Sequence, residues 1–114
     1  MPRINEINKV IVKLGSEYDL PVADFNAIFT GDLRSKKSML RNPLNSGSTD
    51  GVHPTPGGYL KLAVMLKNII DRHGLPTGRI ACIGDSITYG VHVKGSGSNT
   101  GETYPGQLLK LLEK

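Results

Sequence analysis

The chain has 114 residues, a formal net charge of +4 and an ordinary composition of 38% hydrophobic and 21% charged residues. That length and composition exclude a disordered chain and allow one domain with a small core. No apolar run reaches the roughly 18 residues of a membrane span, and the N-terminus lacks the apolar stretch of a signal peptide. We therefore expect one domain over residues 1–114, without a membrane span. The compartment is unknown, with the cytoplasm as the default.

The first half of the chain predicts a helix, a strand and a long loop. Between Ile4 and Leu14, apolar residues recur at helical spacing and predict an amphipathic helix. The apolar stretch "LPVADF" at residues 20–25 predicts a short buried strand. Residues 26–49 are rich in Ser, Asn, Gly and basic residues and predict a loop, with one helical turn around residues 38–41.

The second half predicts a helix, a strand and a final helix. Pro56 and its following glycines open a helix with a broad apolar face, and Gly74 closes it. After the short loop "GLPTG", residues 79–83 predict a buried strand that contains the lone cysteine, Cys82, as a small hydrophobic residue. A last helix begins at Thr103 or Pro105. The order of these elements predicts an α/β fold.

The basic residues do not predict a nucleic-acid surface. They are spread along the chain, and the densest cluster, residues 34–37, has no aromatic residue interleaved to stack on bases. We expect no nucleic-acid partner.

A serine follows the second predicted strand in "RIACIGDSITYG". A strand that ends at Gly84 can place Ser86 at the edge of a sheet, where α/β proteins bind ligands. The motif differs from the Gly-x-Ser-x-Gly elbow because position 88 is Thr. By itself, this motif fits a solvated loop serine better than a nucleophile.

The candidate partners of Ser86 are Asp50 and His53. Their i, i+3 spacing in a turn ahead of a helix lets the carboxylate orient the imidazole while its other nitrogen faces the serine. A plain helix entry explains the same two residues equally well. His73 is interpreted as a favourable charge at a helix end, and His92 as a loop residue. No close-set ligands predict a metal site, and we expect no cofactor.

Two segments together resemble a known family. "IGDSITYG", followed by "YPGQLLKLL", and "DGVHPTPGGYLKLA" resemble the first and last motifs of the SGNH (GDSL) serine esterases and lipases, and "LPVADF" fits the family's last strand. The resemblance implies a three-layer, flavodoxin-like parallel sheet. It also implies Ser86 as the nucleophile, His53 as general base, Asp50 as its orienting acid, and the backbone N–H of Ser86 as an oxyanion donor. "GDSITYG" with "TYP" resembles bacterial members that deacetylate carbohydrates, so a small-molecule or carbohydrate acyl ester, acetyl first, is the implied substrate.

The chain departs from the family in two respects. The motif order is reversed, and the two middle motifs, which carry a glycine and an asparagine oxyanion donor, are missing. Gly95, Gly97 and Asn99 lie in a different context, and the sequence assigns them no role. The sheet would therefore be incomplete. Since losing one oxyanion donor costs roughly 3–4 kcal/mol of transition-state stabilisation, we expect weak or no activity from the isolated chain.

Two arrangements explain the reversed order. One is a circular permutation, with the missing strands lost or supplied by a homodimer or a second chain. The other is the end of one hydrolase copy, residues 1–74, joined to the start of another, residues 79–114.

The functional hypotheses follow from these alternatives. The leading one is a serine esterase that acts through an acyl-enzyme on Ser86, and whether the isolated chain is an active enzyme stays open. The alternative is an incomplete α/β module that binds a partner chain through unpaired strand edges. A phosphate site at "GDSITYG" is weaker, because the segment lacks a lysine and Asp85 repels phosphate.

Overall fold

The computed structural model describes residues 2–47 and 49–114; Met1, in the predicted domain, and Ser48, in the predicted loop, lie outside the description. The described residues contain only helical elements: α1 (Pro2–Glu17), a 3-10 helix (Phe25–Ile28), α2 (Pro43–Ser46), α3 (Pro56–His73), α4 (Ser86–Tyr89) and α5 (Tyr104–Leu112). In this part of the chain, no helix is long and apolar enough to cross a membrane.

The predicted α/β fold is wrong. The described residues form no strand and no flavodoxin-like sheet, and their one β contact is an isolated antiparallel bridge between Leu40 and Pro54. Residues 20–25 and 79–83 were predicted as strands, but residues 20–24 and 79–83 are irregular and Phe25 begins the 3-10 helix. A strand is stable only where a neighbouring backbone takes up its N–H and C=O groups, and no described strand lies beside either segment.

The three predicted long helices are confirmed, and specific caps define both ends of α3 and the start of α5. At the start of α3, the Thr55 hydroxyl accepts a hydrogen bond from the Gly58 N–H. At its end, Gly74 adopts φ +58°, a left-handed conformation that glycine takes without strain. The Thr103 hydroxyl accepts from the Gly106 N–H and so begins α5.

The short helical turn in the long loop lies later than predicted, at α2 rather than at residues 38–41. Asn42 fixes this position, because its side-chain oxygen accepts hydrogen bonds from the N–H groups of Leu44 and Asn45. The Asn45 side chain accepts in return from the Asn42 N–H, which completes a capping box. The Asn42 amide also donates to the carbonyls of Leu33 and Ser35, so one buried side chain organises the loop.

The core lies where α3 packs against α5. It is small, and its buried apolar residues are Tyr59, Leu62, Ala63, Val93 and Leu108. In contrast, α1 has the predicted apolar face but does not bury it, since Ile7 is 58% exposed and Val10 is 55% exposed. The packing of α3 on α5 therefore brings together the segments that carry His53 and Ser86.

Candidate active site

The side chains of Asp50, His53 and Ser86 lie in direct contact. His53 Nε2 is 2.9 Å from Ser86 Oγ. His53 Nδ1 is 2.9 Å from one carboxylate oxygen of Asp50 and 3.1 Å from the other. One imidazole nitrogen thus faces the carboxylate and the other faces the hydroxyl, as in a Ser-His-Asp triad.

Local backbone hydrogen bonds position the acid and the histidine. Asp50 Oδ1 accepts from the N–H groups of Val52 and His53, which folds the carboxylate back over its own turn. Arg41 N–H donates to the His53 carbonyl, and Gly51 N–H donates to the Arg41 carbonyl. The turn is therefore held against residues 39–41 before α3 begins.

The Asp50 carboxylate is stabilised as an anion. Burial acts to raise its pKa, but hydrogen bonds from the backbone of His53 and Val52 and from the His53 ring outweigh burial and lower the pKa from 3.8 to about 2. Asp50 is therefore ionised at neutral pH. A carboxylate in this state can orient an imidazole and stabilise the imidazolium formed when a proton is taken up.

Ser86 is the exposed first residue of α4. The Asp85 side chain accepts from the Ile87 N–H and begins this short helix, and Gly90 ends it at φ +83°. Amides in the first turn of a helix have no intrahelical acceptor, so the backbone N–H of Ser86 lies in a position suited to an oxyanion donor.

Ser86 opens onto a groove of about 830 Å³. Its lining includes Cys82, Ile83, Tyr89, Gly97 and Asn99. Cys82 is half-buried in an irregular segment rather than buried in a strand, which corrects the prediction for that residue. Gly97 and Asn99 had no assigned role, yet the folded loop brings both to the groove that contains Ser86; the Gly97 N–H donates to the Tyr89 carbonyl.

His92 is a site residue that the sequence did not reveal. It lies in a loop, as predicted, but its Nε2 is 3.2 Å from Asp50 Oδ2 and its ring packs edge-on against His53 at a centroid distance of 5.4 Å. Its backbone has φ +74°, which is strained for a residue with a Cβ. Arg41 Nη1 donates to its carbonyl at 3.5 Å. No local spacing could have indicated this contact, because it depends on how the loop folds.

The buried residue Tyr59 lies near the carboxylates of Asp50 and Asp85. Tyr59 is fully buried, and its hydroxyl has no hydrogen-bond partner among the described residues. Burial raises the pKa of Tyr59 to about 12, with a further contribution from the negative charges of Asp85 and Asp50. Tyr59 is therefore a neutral phenol throughout the range in which a histidine works as a base.

Comparison with protein-family models, with curated proteins and with solved structures finds no match to this chain. The geometry of the site and the two sequence motifs are therefore the basis for assigning a function.

Proposed function

We propose that this protein is a serine hydrolase that cleaves acyl esters through an acyl-enzyme on Ser86. The observation that carries the proposal is the continuous contact from Asp50 through His53 to the Ser86 hydroxyl, with a 2.9 Å distance at each end of the imidazole. The motifs around Ser86 and His53, which resemble those of the SGNH hydrolases, support the same assignment.

The chemistry follows from this contact. His53 Nε2 removes the Ser86 proton as Oγ attacks the ester carbonyl, and the Asp50 carboxylate stabilises the resulting imidazolium. The imidazolium then gives its proton to the departing alcohol as the ester C–O bond breaks. Water, deprotonated by His53, hydrolyses the acyl-serine and restores the site.

The oxyanion formed in each step needs donors. The Ser86 N–H supplies one, and the side-chain amide of Asn99, in the wall of the same groove, is the second candidate. The groove is large enough for a small acyl ester, and carbohydrate acetyl esters are the proposed substrate class from the sequence resemblance. With few donors in place, we expect slow turnover by the isolated chain.

A fluorophosphonate probe, which reacts with activated serines, tests this proposal. We expect covalent labelling of the wild-type chain, mapped to Ser86 by mass spectrometry, none in Ser86→Ala, and a much slower reaction in His53→Ala. Ser16→Ala, at an exposed serine of α1, is the matched control and should label like wild type. Absence of labelling at every probe concentration, or labelling that survives in Ser86→Ala, would refute the proposal.

A second candidate function is association with another copy of the chain. It is favoured by one observation: Ile83, in the wall of the groove, is 91% exposed within a segment that pairs with no strand among the described residues. Residues 79–84 of two copies could pair edge to edge and cover these side chains. Sedimentation over a range of concentrations would detect such a dimer, and a monomer at all concentrations would exclude it.

A further inference from the structure

We propose that Asp50, His53 and His92 form a binding site for a divalent transition-metal ion such as Zn²⁺, and that the bound ion switches off the neighbouring serine. The metal site rests on the geometry of these three side chains alone. Its regulatory consequence rests on the proposed hydrolase function.

The three side chains lie close enough together to be ligands of one ion. One carboxylate oxygen and one nitrogen from each imidazole all lie within 4.8 Å of one another. Asp50 Oδ2 is 2.9 Å from His53 Nδ1 and 3.2 Å from His92 Nε2. Ligands about 2.0 Å from a tetrahedral zinc ion lie about 3.3 Å from each other, so both distances are close to those of a bound ion.

The backbone supports the same arrangement. The His92 backbone is left-handed, with its ring beside Asp50, and the Arg41 side chain makes one long contact of 3.5 Å with the His92 carbonyl. Backbone strain of this kind persists only where the surroundings hold the residue in place. The His92 side chain is also 46% exposed, so its ring can turn towards an incoming ion.

The chemistry of the donor set selects the class of ion. Two imidazoles and one carboxylate are a common set for zinc and its neighbours, and three protein ligands leave one position open. Mg²⁺ and Ca²⁺ prefer six or more oxygen ligands, which these side chains do not offer.

Metal binding would act on Ser86 through the tautomer of His53. In the triad, Nδ1 carries the proton and donates to the Asp50 carboxylate, while Nε2 accepts from the serine. An ion on Nδ1 needs that lone pair, so the proton moves to Nε2 and the imidazole stays neutral. Nε2 then donates to Ser86 Oγ and can no longer remove its proton.

Cobalt binding tests the site without any activity measurement. The untagged chain is used in a Cys82→Ser background, which removes its one thiol. We expect added Co²⁺ to produce the visible absorption of a four- or five-coordinate ion, and Zn²⁺, but not Mg²⁺, to displace it. His92→Gly removes the imidazole, suits the φ of +74°, and should weaken binding at least about tenfold.

The controls separate this site from adventitious binding. His73→Ala, at the exposed end of α3, should bind cobalt like the parent chain, whereas Asp50→Asn should bind it more weakly. Circular dichroism of each variant confirms that it folds. No cobalt spectrum, or equal binding by His92→Gly, would overturn the metal site.

Probe labelling separates the regulatory step from the hydrolase proposal. We expect Zn²⁺ to suppress labelling of Ser86 and a chelator to restore it. Cobalt binding without any labelling would leave the metal site in place and refute the hydrolase. Labelling that zinc binding leaves unchanged would overturn the switch alone.

Discussion

Two regions of the molecule differ in what holds them in place. The site region, residues 38–47, 49–59 and 85–106, is fixed by specific hydrogen bonds between side chains and backbone, and Asn42 and Thr103 are buried within it. The open segments, which are α1 with residues 20–24 and 79–84, carry apolar side chains that remain exposed. An apolar segment is held in one position only where another apolar surface can bury it. Short-range polar contacts, in contrast, define a local geometry even around a small core.

The largest effect on stability within the site region is expected at Asn42. Asn42→Ala removes the α2 cap and leaves the carbonyls of Leu33 and Ser35 without their donor, so we expect a loss of about 3 kcal/mol in the free energy of unfolding. Urea denaturation measures this loss. Asn68→Ala, at an exposed position of α3, is the control and should change stability by less than about 0.5 kcal/mol. Equal effects at the two positions would contradict the importance of the cap.

Alanine substitutions at two glycines, one in each region, compare directly how each region tolerates an added side chain. A Cβ at Gly90, where φ is +83°, would meet the buried Thr103 side chain, so Gly90→Ala should cost about 2 kcal/mol and slow probe labelling of Ser86. A Cβ at Gly78, beside the second open segment, would meet no atom of the described residues within 4 Å. Gly78→Ala should therefore raise the unfolding free energy by up to about 0.5 kcal/mol. Thermal and urea unfolding of both variants test this difference.

A smaller effect is expected in acid. Because the pKa of Asp50 is lowered from 3.8 to about 2 in the folded chain, its anion stabilises the fold fully above about pH 4, and that contribution is lost as the pH falls towards 2. The melting temperatures of wild type and Asp50→Asn should therefore differ at about pH 5 and converge near pH 2. Asp24→Asn, at an exposed residue whose side chain makes no cap, is the control and should change the melting temperature little at about pH 5. A constant difference for Asp50→Asn across this range would show that the anion is not what stabilises the turn.

The smallest effect on stability is expected at Ile83. Because its side chain is already 91% exposed, Ile83→Asp should change the free energy of unfolding by less than about 0.5 kcal/mol. It should reduce binding of a hydrophobic dye and any self-association, since it breaks an exposed apolar segment. Leu108→Ala, at a position only 4% exposed, should instead cost about 3 kcal/mol. A large loss of stability in Ile83→Asp would mean that this segment is buried in solution.

The sequence predicted the three long helices, which depend largely on neighbouring residues, but it placed the short turn of α2 too early in the chain. Both ends of α3 and the start of α5 follow from Thr55, Gly74 and Thr103, which act within one helical turn. The contact between Asp50 and His53 is equally local, and their spacing indicated it. The absence of a sheet from the described residues could not be predicted in the same way. Residues 20–24 and 79–84 have a strand-like composition, but a strand also requires a partner elsewhere in the chain.

The long-range parts of the site fall into two groups. The pairing of Ser86 with His53 was suggested by a resemblance between motifs, and the structure places their side chains 2.9 Å apart. The contact of His92 with Asp50, and the position of Asn99 in the groove, had no signal in the spacing of residues. Both depend on the path of the loop after Gly90, in which the Thr103 hydroxyl donates to the Ser98 carbonyl and the Glu102 N–H donates to the Lys94 carbonyl.

The connection between the end of α3 and the serine turn consists of exposed residues, from 74 to 81. Its contribution to the site is therefore mainly one of effective concentration: it keeps the half of the chain with the acid and base close to the half with the hydroxyl. The contacts between the halves, chiefly α3 against α5, align the two once they are near. The candidate active site is in this sense an interface within one chain, and its assembly is an association of the two halves. If this connection were cut, the fraction of assembled sites would depend on protein concentration.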